Sequence, residues 1–429
     1  MLERFFGLRA NGTTLRIEVI AGVTTFLTMA YIMLVNPLIL ADAGMDIGAV
    51  FVATCIASAI GTLIMGLYAN YPLALAPGMG LNAYFTYGVV KGMHYSWEVA
   101  LGAVFLSGIL FLALSLTRVR EWIVDAIPRS QKMAISAGIG LFLAIIALKN
   151  AGIVAASSET FVTLGDVKAA PALLAALCFL AMIALDSRRV TGSIIIAILG
   201  TTVLGILLGV SQPGGIVAMP PSLAPTFLAL DIKGALNIGL LTIVFAFFFV
   251  DLFDNTGTLV GVAHRAGLVG ADGKIPRLSR VFIADSTATL AGSLLGTSTV
   301  TSYIESAAGV RAGGRTGLVS VVVAALFLLS LFFSPLAKTV PGYATSPALL
   351  FVACLMARGL TEIDWEDVTD YAPAVVTAIT MPLTFSIANG IALGFVTYAG
   401  AKILSGRFGE AKPAVLVLAA LFLLRFWFL

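Results

Sequence analysis

The amino-acid sequence predicts an all-α polytopic membrane protein of about 14 transmembrane segments, arranged as two inverted seven-span repeats with the third and tenth spans broken. Three observations predict it. Of 429 residues, 59% are hydrophobic and 11% charged, whereas a soluble domain carries roughly 25% charged residues. Apolar runs approaching the ~20 residues needed to cross about 30 Å of hydrocarbon fill the chain from end to end. Two interrupted segments rich in Gly, Pro, Ser or Thr recur about half a chain apart, the pattern left by inverted repeats that each contain a broken helix.

Taken in order, the apolar run beginning at Ile17 follows Arg4, Arg9 and Arg16 but lacks a small-residue cleavage site, so it reads as the first span and not as a removed leader. Further spans begin near Ile47, Pro72, Glu98, Lys132, Ala170 and Thr191, then near Ala235, Arg280, Thr299, Thr316, Thr345, Tyr371 and Gly390. Residues 1–213 are thus the first repeat and 214–429 the second. Seven is odd, so the second repeat runs in the opposite sense to the first. Residues 414–429 are apolar as well; they lengthen the last span, lie in the interface or cross once more. With a cytoplasmic N-terminus, the inward loops carry 19 Lys and Arg residues, whereas the outward loops carry only Lys91, Lys149, Lys168, Lys233 and Lys338.

Charge and cysteine usage exclude several classes. The net charge of +3 is scattered over the loops and forms no nucleic-acid face. Cys55, Cys178 and Cys354 stand singly in apolar runs and imply neither a disulfide framework nor a metal site. His94 and His264 are the only histidines, both expected in loops, with no nucleophile–base pair nearby. The chain therefore reads as a protein without cofactor and not as an enzyme.

The broken segments are YPLALAPGMGLNAYF (71–85) and GTSTVTSYIESAAGV (296–310). In hydrocarbon each unpaired backbone group costs several kcal/mol, so irregular backbone survives only where protein covers it or where it lines a wet cavity. Where two such segments cross, helix N-termini and unpaired amides become available to a polar ligand.

Four acids interrupt apolar spans: Asp251 and Asp254 in FFFVDLFDNTGTLVG, Asp285 in FIADSTATLAGSLLG, and Glu305 in SYIESAAGV. A carboxylate at mid-bilayer costs about 3 kcal/mol on insertion scales, and it marks a site by default. No Lys or Arg lies at comparable depth in the sequence. Such acids can load and release a proton near neutral pH or contact a cation. Asp254 and Glu305, next to the small polar run and the broken backbone, are the candidates for direct ligand contact. Asp251 and Asp285 read equally as structural acids. Asn82 offers an amide to a heterocycle edge or caps its half-helix. Acceptors without a fixed cation, amid Phe26, Tyr84, Phe85, Phe253 and Tyr303, favour a flat neutral ligand with N–H donors, although such aromatics are more often packing or lipid-facing.

The segments GVTTFLTMAYIMLVNPLIL, APGMGLNAYFTY, FVDLFDNTGTLVGVA, STVTSYIESAAGVRAGGRTGL and PLTFSIANGIALGFVTYA together resemble the azaguanine-permease-like, purine-transporting branch of the nucleobase/ascorbate transporter family across nearly the whole chain. The resemblance implies a core domain from spans 1–4 and 8–11, a gate domain from spans 5–7 and 12–14, and proton-coupled uptake of adenine, guanine or hypoxanthine. It implies that Asp254 and Glu305 bind the base, that the third span contributes around Leu81 and Asn82, and that Asp285 supports the site. Thr28 and Ile304 join the candidate binding set, and Asp251 joins Asp285 and Glu305 in proton coupling or support. The resemblance further implies an inner-membrane location and a homodimer through the gate domain. This chain departs from the uracil-transporting branch in the extra residue before the Gly of ESAAG and in Thr258, where that branch has His. The alternative is a channel or anion exchanger of the same architecture, which would be expected to place a cation or bare helix N-termini at its centre.

Overall fold

A computed structural model describes residues 2–117, 127–236, 238–265 and 276–428. Within the helices, the side chains of residues 238–242, 253, 254, 256, 257, 260, 261, 263–265, 425 and 428 lie outside that description. Asp254 and Phe253 are among them, and the expected loop cations Arg118, Arg120 and Lys274 fall outside the described residues altogether. Among the described residues, eight helical runs are long and apolar enough to cross a membrane. The chain is a multi-pass membrane protein.

Polar residues at the expected boundaries start the helices by taking up orphaned backbone amides. Thr14 accepts from Ile17 N–H at 3.3 Å to begin α1 (Leu15–Met29). A turn at residues 30 and 31 separates α1 from α2 (Ile32–Ala41), which contains Pro37. Asp46 caps α3 (Ile47–Ile64) through Ala49 N–H at 2.7 Å. β1 (Leu75–Pro77) leads into α4 (Met79–Ala83), which continues as a π-helical stretch, Tyr84–Gly92. Ser96 caps α5 (Trp97–Ser115). Then come α6 (Arg129–Asn150), a hairpin of β2 (Val154–Ser157) and β3 (Phe161–Leu164), α7 (Ala170–Ser187) and α8 (Ser193–Leu207). The second half runs α9 (Ile238–Arg265), α10 (Leu278–Leu295), β4 (Val300–Ser302), α11 (Ser306–Arg311), α12 (Gly317–Ser330), α13 (Gly342–Ala357), α14 (Val368–Leu383), α15 (Ile387–Leu404) and α16 (Pro413–Phe428). Every expected span start falls within a turn of one of these elements, and Pro413–Phe428 forms a helix of its own rather than a continuation of α15.

The chain divides into two compact units. The second, Thr117–Lys149 with Leu349–Leu429, is built around α14 and α15. There Ala134, Ile363 and Ala374 form a small core with Met133, Leu360 and Tyr371. Lys402, its side chain 1% exposed, meets Glu410 at 2.6 Å, Asp370 at 3.3 Å and Asp367 at 3.6 Å. The first, Met1–Leu116 with Asn150–Ala348, holds both broken spans, and it includes α7 and α8.

In the first unit β1 and β4 pair antiparallel, Leu75 with Ser302, Ala76 with Thr301 and Pro77 with Val300. The ladder extends at both ends, Tyr303 N–H to Ala74 O and Gly78 N–H to Thr299 O, each at 2.9 Å. Side chains saturate its outer edges. Thr62 on α3 accepts from Leu75 N–H at 2.9 Å and donates to Leu75 O at 3.1 Å, and Thr289 on α10 donates to Val300 O at 2.9 Å. Ser306 Oγ accepts from Ala74 N–H at 3.0 Å. Pro77 has no N–H to satisfy. A ribbon of six strand residues thus survives in an apolar setting because few of its backbone groups are left to water.

Candidate functional site

Four elements of the first unit converge on the ribbon. α4 and α11 leave its two ends, α10 lies along it, and α9 packs against β4, α4 and α11. α9 carries Asp251 and Asp254, α10 carries Asp285, and Glu305 directly precedes α11.

Glu305 occupies the position preceding α11 without spending its carboxylate on a cap. Its Oε1 accepts instead from the Tyr31 hydroxyl at 2.7 Å. Tyr31 is buried at the turn between α1 and α2, so the interruption of the first span is tied to the interruption of the tenth. Thr28, half-buried one turn before, points its hydroxyl at the Glu305 carbonyl at 3.5 Å while bonding Thr25 O at 2.7 Å. Glu305 keeps partial exposure and its neighbour Ile304 is 48% exposed, so this end of the break is accessible.

Asp285, fully buried on α10, accepts from Ser302 Oγ at 3.4 Å and so faces the ribbon. Asp251 is buried on α9, as is Asn255 one turn on. Neither polar atom of the Asn255 amide finds a hydrogen-bond partner among the described residues. The side chain of Asp254 lies outside those residues.

Asn82 is fully buried and belongs to a polar chain. It donates to Asn36 Oδ1 at 2.6 Å and accepts from Ser298 Oγ. Asn36 in turn donates to Thr54 at 2.7 Å and to Thr297 at 3.0 Å. The third span's cap position is taken by Gly78, without a side-chain bond, so Asn82 is not the cap. Leu81 is buried beside it. The first amides of α11 are also less open than a broken helix suggests, since Ser306 N–H turns back to Tyr303 O at 3.1 Å and Ala307 N–H to Ile304 O at 3.0 Å. A tight turn has replaced the free N-terminus.

The aromatics mostly pack. Phe26 meets Phe327 edge-on at 5.4 Å, Tyr84 meets Phe247 at 5.1 Å, and Tyr303 donates to Pro77 O at 2.6 Å. Sequence reasoning missed Tyr31, Asn36 and a fifth acid, Glu18. Glu18 is fully buried and accepts from Arg315 N–H at 2.8 Å, Thr316 N–H at 3.2 Å and the Thr316 hydroxyl at 2.6 Å. It anchors the loop leaving α11. The available signals were Pro37 directly after Asn36, and an acid in the first turn of an otherwise apolar span.

The permease family model Xan_ur_permease matches residues 16–393. The chain belongs to this nucleobase/ascorbate transporter family. Within the permease family it is 48% identical over 429 residues to the adenine permease AdeP of Escherichia coli, an alignment covering 100% of this chain and 96% of that one. It is 44% identical over 440 residues to the guanine/hypoxanthine permease PbuG of Bacillus subtilis, covering 100% of both. The fold also matches the transmembrane domain of the cyanobacterial bicarbonate transporter BicA with a TM-score of 0.65 at 17% identity, covering 89% of this chain and 97% of that one. At that identity the permease shares the architecture alone.

Proposed function

We propose that this protein is a proton-coupled symporter that imports a purine nucleobase, adenine, guanine or hypoxanthine, across the inner membrane by alternating access. The observation that carries the reading is the hydrogen-bonded meeting of the two broken spans, with the accessible Glu305 at one end and the acid-bearing helix α9 packed against both. The purine permeases to which the chain is 44–48% identical support the cargo class. In this reading Asp254 and Glu305 bind the base, with Asn82, Leu81, Thr28 and Ile304 shaping the site and Asp285 and Asp251 supporting it. Asn82 acts through the amide proton that Asn36 leaves open.

The reading includes fourteen spans in two inverted repeats, 1–213 and 214–429, with a cytoplasmic N-terminus, a core of spans 1–4 and 8–11, and a gate of spans 5–7 and 12–14 through which two copies pair. The like service of Thr62 to β1 and Thr289 to β4 supports the repeat. A carrier is driven only by a difference in affinity between its states, so proton and base must favour each other's binding by one common factor. A channel or exchanger for anions would meet the Glu305 carboxylate as a like charge.

The test is uptake of labelled hypoxanthine in cells lacking their own carriers, competed by adenine, guanine, xanthine and uracil. Purines compete and uracil does not, and an uncoupler abolishes accumulation. Glu305→Gln and Asp254→Asn each lower uptake at least tenfold, the loss expected when a hydrogen bond to a charged group worth about 1.5–3 kcal/mol disappears. Normal uptake by both variants removes the site assignment, and accumulation that survives the uncoupler removes the coupling.

A further inference from the structure

We infer that Tyr31 is a positioning residue that sets how tightly Glu305 holds its proton, and hence the pH range over which the base is bound and carried. The inference rests on the proton-coupled reading above. The Tyr31 hydroxyl donates to Glu305 Oε1 at 2.7 Å, from a ring buried at the turn between α1 and α2. Glu305 makes no capping bond to α11, so its carboxylate is left to accept from Tyr31, in a residue that keeps partial exposure next to the exposed Ile304.

A phenol donating to a carboxylate favours the charged form, because a charge-assisted bond is roughly twice as strong as the neutral one left after protonation. The other titratable groups on elements packed against α11 are differently placed. Glu18 on α1 is committed to Arg315 and Thr316. Tyr303, just before α11, donates to Pro77 O. Asp251, buried on α9, and Asp254, carried by the same helix, are both left in place by a change at Tyr31. Tyr31 is therefore the group whose removal alters the charged and neutral forms of Glu305 unequally without removing an acid.

Binding of labelled base to the purified, detergent-solubilised protein is measured from pH 5 to pH 9. In the wild type, binding falls as the pH rises and Glu305 loses its proton. Tyr31→Phe moves that fall to more alkaline pH by about one unit, a tenfold change in proton affinity. A monofluorinated tyrosine inserted at position 31 by codon suppression keeps the shape and makes a stronger donor. It moves the fall to more acidic pH, and it serves as the test if the Phe variant does not fold. In a Glu305→Gln background neither change moves the profile. A sloping wild-type profile that the Phe and fluorotyrosine variants both leave in place overturns the inference and spares the symport reading. A flat wild-type profile that Glu305→Gln leaves unaltered overturns both.

Discussion

Asp367 and Glu305 put carboxylates to opposite uses. Asp367 Oδ1 accepts from both the hydroxyl and the N–H of Thr369, at 2.7 and 2.9 Å, and its Oδ2 meets Arg407 at 2.5 Å. The Thr369 hydroxyl first, then Arg407 and Lys402, hold its carboxyl down at about 2. A carboxylate lowered in the folded state contributes stability that is present above its unfolded value near 4 and is lost as the pH falls toward 2. Asp367→Asn therefore lowers the melting temperature at pH 7, and the difference from wild type shrinks between about pH 4 and pH 2 in a fluorimetric scan. Glu305 has no cationic partner among the described residues and accepts from the Tyr31 hydroxyl, the contrast that suits the proposed proton carrier. The acids at 251, 254, 285 and 305 could be picked out of the sequence because a charge in an apolar run stands apart from everything around it. Tyr31 could not: its partner lies 274 residues away, and a tyrosine in a span has packing as its ordinary explanation.

Close contact between helices fixes where those side chains meet. α11 lies on α1 through Gly309, where a Cβ would sit 2.1 Å from Thr25 Oγ1 and 2.6 Å from Ala21 O. Gly309→Ala must push α11 from α1 and stretch the Tyr31–Glu305 bond. It should cost about 1–3 kcal/mol in thermal stability, as overpacking does, and reproduce part of the alkaline shift of Tyr31→Phe in base binding. Gly317 makes the same kind of approach on α12, its Cβ position 2.0 Å from Gly66 O. Helix positions were readable from apolar runs and their Asp, Ser or Thr starts. The two paired strands were not, because three residues carry no period and their pairing joins segments from opposite halves of the chain.

The distribution of cations along the chain bears on the molecule's orientation. With the N-terminus inside, the β2–β3 hairpin faces outward, and Glu159 at its tip is exposed. A Glu159→Cys variant, with Cys354 replaced by Ser, should react with a membrane-impermeant maleimide in intact cells, whereas a cysteine at Arg9 should react only after lysis. Labelling in the reverse order inverts the topology. The sequence supplied this orientation through charge bias alone, while the division into units, which rests on the proximity of segments far apart in the chain, had no such linear trace. The ribbon of β1 and β4 has one more implication. A slip of one residue would turn every side chain to the opposite face, so in the proposed alternating-access cycle the two half-spans are expected to keep their pairing and move as one body. Ala76 and Thr301 are paired across it, at a separation that in antiparallel strands suits a disulfide. Cysteines there should be stapled by oxidation without stalling the carrier.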